Sequence, residues 1–389
     1  MILDQLSTPA VLIERSRLQA NLQAMQAKAQ AQQVHLRPHI KTHKSIQLAR
    51  WQLREGAAGI TVAKPSEAEV FAEAGFKDIR IAYTLVAPHH FERVLRLMKQ
   101  GVKVSFCVDT YEGARAASAF FAEHRMLASV LVEVDVGYGR CGVRWDDPES
   151  VAFIRYVQQL PGFELVGLLT HAGQSYHGPR DATETEEEAL RRVSAEERDR
   201  MLSLAVALSE AGIVFPEQPF VLSIGSTPSM RFFENREQHG WKITEIRPGN
   251  YVFHDATQVG LHVTSLAHCA LTVWSTIISK HEEEQGSRYY LDVGKKVLTT
   301  DQGYGTRGYG IILRHPHRME PLPGVEITAL SEEHGWVRAR GSLLLQVRDR
   351  VRIVPNHACV VVNTQDVLYL VDGAHVVETW RVDARGCVW

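Results

Sequence analysis

Through the first two thirds of the chain, short β-branched runs alternate with longer helix-like stretches. The runs read VHLRPHIK (34–41), GITVAK (59–64), IRIAYT (79–84), VKVSFCVD (102–109), SVLVEVDVG (129–137), LVGLLTHAG (165–173), FVLSIGST (220–227) and ITEIRPGNYV (243–252). Between them lie Lys44–Glu55, Glu67–Ala74 and the charged stretch Glu184–Gly212, all with helical composition. Strands separated by helical patterns predict parallel βαβ units, and eight of them in roughly 250 residues are the arithmetic of a (β/α)8 TIM barrel. From Leu261 onward the texture changes to short alternating runs: CALTVWSTIIS, YYLDVG, GVEITALS, WVRARG, RVRIVP, ACVVVN, VLYLVDG and HVVETW. Gly, Pro, Asp and Asn punctuate them, and EEEQG (282–286) reads as a hairpin tip. The pattern predicts an α/β fold: a TIM barrel over residues 1–260, then an all-β domain over 261–389. The opening residues are expected to pack on the β domain.

Composition narrows the function classes. With 389 residues, 45% of them hydrophobic and 23% charged, the chain can bury a core in each domain. The formal charge is −2, from 43 basic and 45 acidic residues, which gives no electrostatic footprint for nucleic acid. Asp4, Glu14 and Arg15 interrupt the N-terminal apolar positions, so no signal peptide is expected, and no window approaches the roughly 18 apolar residues of a membrane helix. The five cysteines, Cys107, Cys141, Cys269, Cys359 and Cys387, are scattered and odd in number. That usage predicts a reducing cytoplasm rather than a disulfide framework.

In a TIM barrel the chemistry gathers where the strands end at their C-terminal side. The first candidate strand ends in Arg37-Pro38-His39-Ile40-Lys41. A lone lysine is ordinarily a solvated surface residue. At a barrel mouth, partial desolvation would make the Lys41 amine a usable nucleophile or base. Strand five ends in a Gly-rich loop holding Arg140, a candidate anion partner, and strand six ends in His171-Ala172-Gly173-Gln174-Ser175-Tyr176-His177, where two imidazoles and a phenol crowd one loop. The last two strands end in Gly225-Ser226-Thr227-Pro228 and Pro248-Gly249-Asn250-Tyr251. Either could be an ordinary turn, but consecutive turns after the final strands are a common place for phosphate in this fold. In the β domain, His357 and Cys359 stand two apart. On a strand they would share a face, as half of a soft metal site suited to zinc; a buried cysteine beside a turn histidine is the plainer reading of that spacing.

Together these residues resemble a known family. RPHIKTHK, GITVAKPSEAE, EVDVGYGRCGV, LLTHAGQSY, IGSTPS, EIRPGNYVFHD, LDVGKKVLTTDQG and VPNHACVVVNTQD occur in order over nearly the whole length. The chain looks like the fold-type III pyridoxal-phosphate enzymes of the alanine racemase structural class, in the branch of D-serine dehydratase, D-threonine aldolase and their 3-hydroxyaspartate-acting relatives. The resemblance implies that Lys41 carries pyridoxal 5'-phosphate and that Arg140 lies by its phenolic oxygen. Tyr176 would be close to the ring nitrogen, and Ser226, Thr227, Gly249, Asn250 and Tyr251 would bind the phosphate. It assigns His357 and Cys359 to a divalent metal, replacing the plainer reading of that pair. A homodimer is expected on the same ground.

The resemblance also separates two reactions. Its dehydratases pair the metal histidine with cysteine and bind zinc; its aldolases pair it with aspartate, use Mn2+ or Mg2+-like ions, and tend to a GGGTG phosphate turn. Cys359 and the GSTP turn point to a lyase that dehydrates and deaminates D-serine, D-threonine or D-threo-3-hydroxyaspartate to a 2-oxo acid and ammonia. His177 and the VDVGxGRCGV wording point toward D-threonine aldolase, in which that histidine would act on the substrate hydroxyl. A racemase and a non-catalytic pyridoxal-phosphate-binding protein are further alternatives. The first needs no metal pair, and the second resembles the barrel only. His39, His43, Gln302 and Arg307 are candidates to line the substrate pocket.

Overall fold

The computed structural model describes residues 1–284, 286–340 and 345–389. They group into two compact units that interleave along the chain. One comprises Met25–Lys41, Leu48–Gly249 and Gly386–Trp389; the other comprises Met1–Ala24, Thr42–Gln47 and Asn250–Arg385.

The first unit is a ring of parallel strands, His35–Leu36, Ile60–Val62, Asp78–Thr84, Lys103–Val108, Ala128–Asp135, Phe163–Thr170, Val221–Ile224 and Glu245–Ile246. Each predicted run overlaps one of them. The eighth strand pairs with the first, and a bridge between His39 and Thr61 joins the first to the second, which closes the barrel. The first strand is only two residues long; Arg37 N still donates to the Ile246 carbonyl at 2.9 Å, and Pro38 after it has no N–H to give. The predicted helices appear as Ile46–Arg54, Pro65–Glu73 and Glu186–Glu210. The last starts from a capping box in which Thr185 accepts from Glu188 N and the Glu188 side chain reaches back. Helix Pro88–Lys99 shows why such segments pack: Phe91, Val94 and Leu95 recur at helical spacing and are buried. Each is worth about 1.5–3 kcal/mol of transfer free energy.

The barrel also holds buried charge. Arg37 Nε donates to Glu245 Oε2 at 2.7 Å, its Nη1 donates to Asp78 Oδ1 at 2.7 Å, and Arg80 donates to Glu245 Oε1. Arg80 stands on the third strand and Glu245 on the eighth, so their contact crosses the ring interior. Burial works against the charged form of Glu245, but Arg80 and Arg37 outweigh it and hold the carboxyl at about 2.

The second unit is built on a sheet with the order Glu320–Pro321, Ile311–His315, Arg350–Val354, Leu271–Glu283, Ala10–Glu14, Val367–Asp372, His375–Arg381. The long strand Leu271–Glu283 continues past a bulge between Ile277 and Ser279. There it pairs with Gly286–Leu291, which leads on to Gly335–Arg340 and Val325–Leu330. Ala10–Glu14 lies inside the first sheet, antiparallel to one neighbour and parallel to the other, with all five residues buried. EEEQG joins Leu271–Glu283 to its antiparallel partner; Gln285 of that segment lies outside the described residues.

One predicted strand is not a strand. Ala358–Asn363, the ACVVVN run, is a short helix. A short apolar run has no period that separates a strand from a buried helical turn. Here Ala358, Val361 and Val362 are the buried residues, which is helical spacing. His357 and Cys359 are therefore not brought to one face by strand alternation, and their proximity has the different cause given below.

Candidate active site

In the barrel unit, Lys41 follows the first strand on the turn Ile40–Thr42 and is exposed. Two imidazoles share its surroundings. His171, at the end of the sixth strand, has Nδ1 3.4 Å from the Gly225 carbonyl oxygen. Burial drives its pKa down to about 3, with Lys41, Arg140 and Arg247 adding to the effect. His39 is held well below the usual histidine range by burial first, then by Lys41, Arg247, His171 and Arg140. Both rings are thus neutral at neutral pH. The hydrogen bond at His171 Nδ1 makes that atom the donor and leaves Nε2 as an acceptor.

Arg140 projects from the loop after the fifth strand. Its Nη2 is 3.4 Å from Glu133 Oε1, and its guanidinium carbon is 5.6 Å from the centre of the Tyr138 ring. The loop is wound about Asp135, whose Oδ1 accepts from Gly137 N and Tyr138 N at 2.8 Å each. At Gly142 φ is +104°, and a Cβ would fall 2.8 Å from Asp135 N, so the Gly-rich sequence is required by the winding. Tyr176 closes the turn Gly173–Tyr176 with its ring 6.5 Å from that of His171; His177 follows it, exposed, 5.8 Å from the Tyr138 ring.

The turn after the seventh strand is built from buried hydroxyls. Ser226 Oγ is 2.8 Å from Ser175 Oγ and donates to Ser229 Oγ at 3.0 Å. Thr227 is buried beside it. Gly225 has φ +125°, and a Cβ there would lie 3.0 Å from Arg247 N, so the turn needs a glycine to sit this close to the next strand. Gly249 ends the eighth strand's loop within the same unit. Sequence reasoning missed the residue that organises these turns. Buried Glu197 accepts from Gly225 N at 2.9 Å, Ala172 N at 3.1 Å and Ser229 Oγ at 2.7 Å. Its pKa is raised by burial, partly offset by these bonds.

The β unit carries the remaining candidates. Asn250 and Tyr251 form the turn Asn250–Val252, and both are buried. His357 is the extended residue capping helix Ala358–Asn363, with φ −140° and ψ 103°. Cys359 is that helix's second residue, and the change from extended to helical backbone lets the two side chains meet. Their charges are coupled: burial alone would raise the Cys359 thiol and lower the His357 imidazole, yet each partner reverses the other's shift. His357 Nδ1 is 2.7 Å from Asp301 Oδ2, and Cys359 Sγ is 3.3 Å from Thr42 Oγ1. Asn356 Nδ2 donates to the Asp301 carbonyl at 3.0 Å and so holds the Asp301 backbone. Of the residues proposed for the pocket, His43 Nδ1 accepts from Ser45 N at 3.1 Å. Gln302 is exposed. Arg307 borders a groove of about 970 Å³ with Ile311, Val325 and Arg338, which neither His357 nor Cys359 lines.

These donor sets fit the groups the sequence implies. Lys41, Arg140 and Arg247 around neutral imidazoles, with a glycine cradle at Gly225, suit an anionic aromatic cofactor. A thiol and an imidazole suit a soft divalent ion. Among the described residues no group of three or more His, Cys, Asp or Glu is placed to hold a metal. No helix of the described residues is long and apolar enough to cross a membrane.

Comparison with known proteins gives the same picture. An alanine racemase N-terminal domain model matches residues 13–257, and a serine dehydratase domain model matches residues 270–371. The D-threo-3-hydroxyaspartate dehydratase of Delftia sp. (strain HT23) is 35% identical over 365 residues, 91% of this chain and 91% of that protein. Its solved structure has a TM-score of 0.87 at 34% identity and covers 98% of each chain. The D-threonine aldolase of Arthrobacter sp is 33% identical over 387 residues, 99% of this chain and 94% of that protein. A solved structure of a cysteine-to-alanine mutant of D-threo-3-hydroxyaspartate dehydratase in the metal-free form has a TM-score of 0.88 at 33% identity and covers 98% of each chain.

Proposed function

Since the chain belongs to the fold-type III pyridoxal-phosphate family of D-3-hydroxy amino acid lyases, we propose that it is a zinc-dependent dehydratase. Its substrate is D-serine, D-threonine or D-threo-3-hydroxyaspartate, and its products are a 2-oxo acid and ammonia. The observation that carries this reading is the His357–Cys359 pair, a nitrogen and a sulfur donor that suit a soft ion.

When bound, pyridoxal phosphate supplies an electron sink for charge left at Cα, and the divalent ion supplies a Lewis acid for a poor leaving group. The chain's own residues do the rest. Lys41 anchors the cofactor and then, as a free amine, takes the Cα proton. Arg140 would face the phenolic oxygen. Tyr176, a neutral phenol, would face the ring nitrogen. Ser226, Thr227, Gly249, Asn250 and Tyr251 would hold the phosphate. His39 and His171, kept neutral by burial, add no positive charge beside Lys41. His357 and Cys359 would hold the metal where the β-hydroxyl departs. Loss of the Cα proton and the hydroxyl leaves an enamine, which water converts to the 2-oxo acid and ammonia. The reading includes a cytoplasmic homodimer acting on a small molecule, without nucleic-acid or membrane partners, in keeping with the near-neutral charge.

A second reading, retro-aldol cleavage to glycine and an aldehyde, is favoured by exposed His177 directly after Tyr176 and by 33% identity to an aldolase over nearly the whole chain. Product analysis separates the two. Purified holoenzyme with the three D-substrates should release 2-oxo acid and ammonia in equal amounts and lose that activity to a chelator. Glycine with aldehyde, or elimination that survives chelation, would sink the dehydratase reading.

A further inference from the structure

We propose that Asp255 is a positioning residue through which cofactor binding and metal binding reinforce one another; the inference rests on the functional reading above. Asp255 is fully buried. Its Oδ1 accepts from Gln258 N at 3.1 Å, which is the ordinary capping bond of helix Ala256–Gly260. Capping needs one oxygen only. The other, Oδ2, accepts from Asn250 Nδ2 at 2.6 Å and from Ala358 N at 2.9 Å.

Those two donors come from the two places where the absent groups would bind. Asn250 begins the turn assigned to the phosphate. Ala358 is the residue between His357 and Cys359. A single carboxylate oxygen therefore spans both, although the bonded pairs lie five and 103 positions apart in the chain. The surrounding backbone makes the link stiff. Ala256 N donates to the Pro355 carbonyl at 3.0 Å, and Thr257 Oγ1 donates to the Asn356 carbonyl at 2.8 Å. A ligand that fixes the Asn250 amide fixes the direction of Oδ2, which fixes Ala358 N and the two side chains flanking it. Ordering done by the first ligand need not be done again for the second, and the coupling is reciprocal by linkage.

An isosteric Asp255→Asn replacement cannot preserve this arrangement. Placed at Oδ2, the new NH2 faces two donors; turned round, it faces Gln258 N and loses the cap. Asn250→Ala cuts the link and leaves the carboxylate with its cap and its Ala358 bond.

The test measures zinc affinity, by competition with a chromophoric chelator, on protein freed of pyridoxal phosphate and on protein saturated with it. The wild type should bind zinc on the order of tenfold more tightly with the cofactor present. Titration of pyridoxal phosphate, followed by its visible band, should show the same factor on adding zinc. In Asp255→Asn and in Asn250→Ala both factors should fall to about one. Equal zinc affinities with and without cofactor in the wild type would overturn the inference while leaving the functional reading intact. So would a lowered melting temperature in Asp255→Asn with the wild-type factor retained, since that is a structural role alone. If Asp255→Asn does not fold, Asn250→Ala decides by the same criterion. A wild type that binds neither pyridoxal phosphate nor zinc removes the functional reading, and the inference with it.

Discussion

Asp301 Oδ2 and His357 Nδ1 stand 2.7 Å apart, so the Asp301 carboxylate fixes which imidazole nitrogen carries the proton. Nδ1 donates to it, so Nε2 is the nitrogen that would turn to a metal once it gives up its proton. A carboxylate behind a ligating histidine also raises the basicity of the ring. Asp301→Asn should weaken zinc binding by about 10- to 100-fold while the protein keeps its fold. Chelator competition, with circular dichroism as the control for folding, measures it, and an unchanged zinc affinity would remove Asp301 from the metal's surroundings.

Inside the barrel, Glu245 balances Arg37 and Arg80. Glu245→Gln removes the negative charge and leaves two buried guanidinium groups without it. Breaking a buried pair from one side costs about 3–5 kcal/mol, more than the pair itself contributes. Urea denaturation should show a lowered midpoint of that size, and a change below about 1 kcal/mol would mean that water reaches the cluster.

His254 predicts a pH dependence. Burial, with His268 nearby, lowers its pKa from 6.5 to about 3. Below pH 6.5 the unfolded chain takes up a proton that the native protein refuses until about pH 3, so stability falls as pH falls through that window and is unaffected above it. The slope is about 1.4 kcal/mol per pH unit for each such histidine. His254 has φ +50°, a left-handed conformation that asparagine tolerates. His254→Asn should therefore lose roughly 2 kcal/mol less than the wild type between pH 7 and pH 5 in denaturant melts. Equal losses would show that His254 is not buried neutral.

The barrel strands were legible because each is a β-branched run set off by a helical stretch. Their lengths were not, since Pro38, the windings at Gly142 and Gly225 and similar turns take residues that have strand composition. That Lys41, Arg140 and the His171–His177 loop follow strand ends was legible from the β-branched runs that precede them. Glu197 was hidden in EEEALRRVSAEERDR, where a buried carboxylate looks like one more charge on a solvated helix face. Asp255 and Asp301 were hidden for another reason: their partners, Ala358 and His357, lie 103 and 56 positions away, and no local pattern carries that distance. The ACVVVN helix was misread because a run of valines has strand propensity, and only its buried spacing shows otherwise.

The strand Ala10–Glu14 pairs with Leu271–Trp274 on one side and Tyr369–Val371 on the other. It leaves the ribosome before the barrel exists and both its partners leave after it. At about 5–20 residues per second the strand must wait on the order of tens of seconds for the first partner and longer for the second. AVLIE is apolar but for Glu14 and, until then, unpaired along both edges. The nascent chain therefore carries a sticky segment until those partners are made, and the growing barrel has to fold while that segment is held apart from other chains.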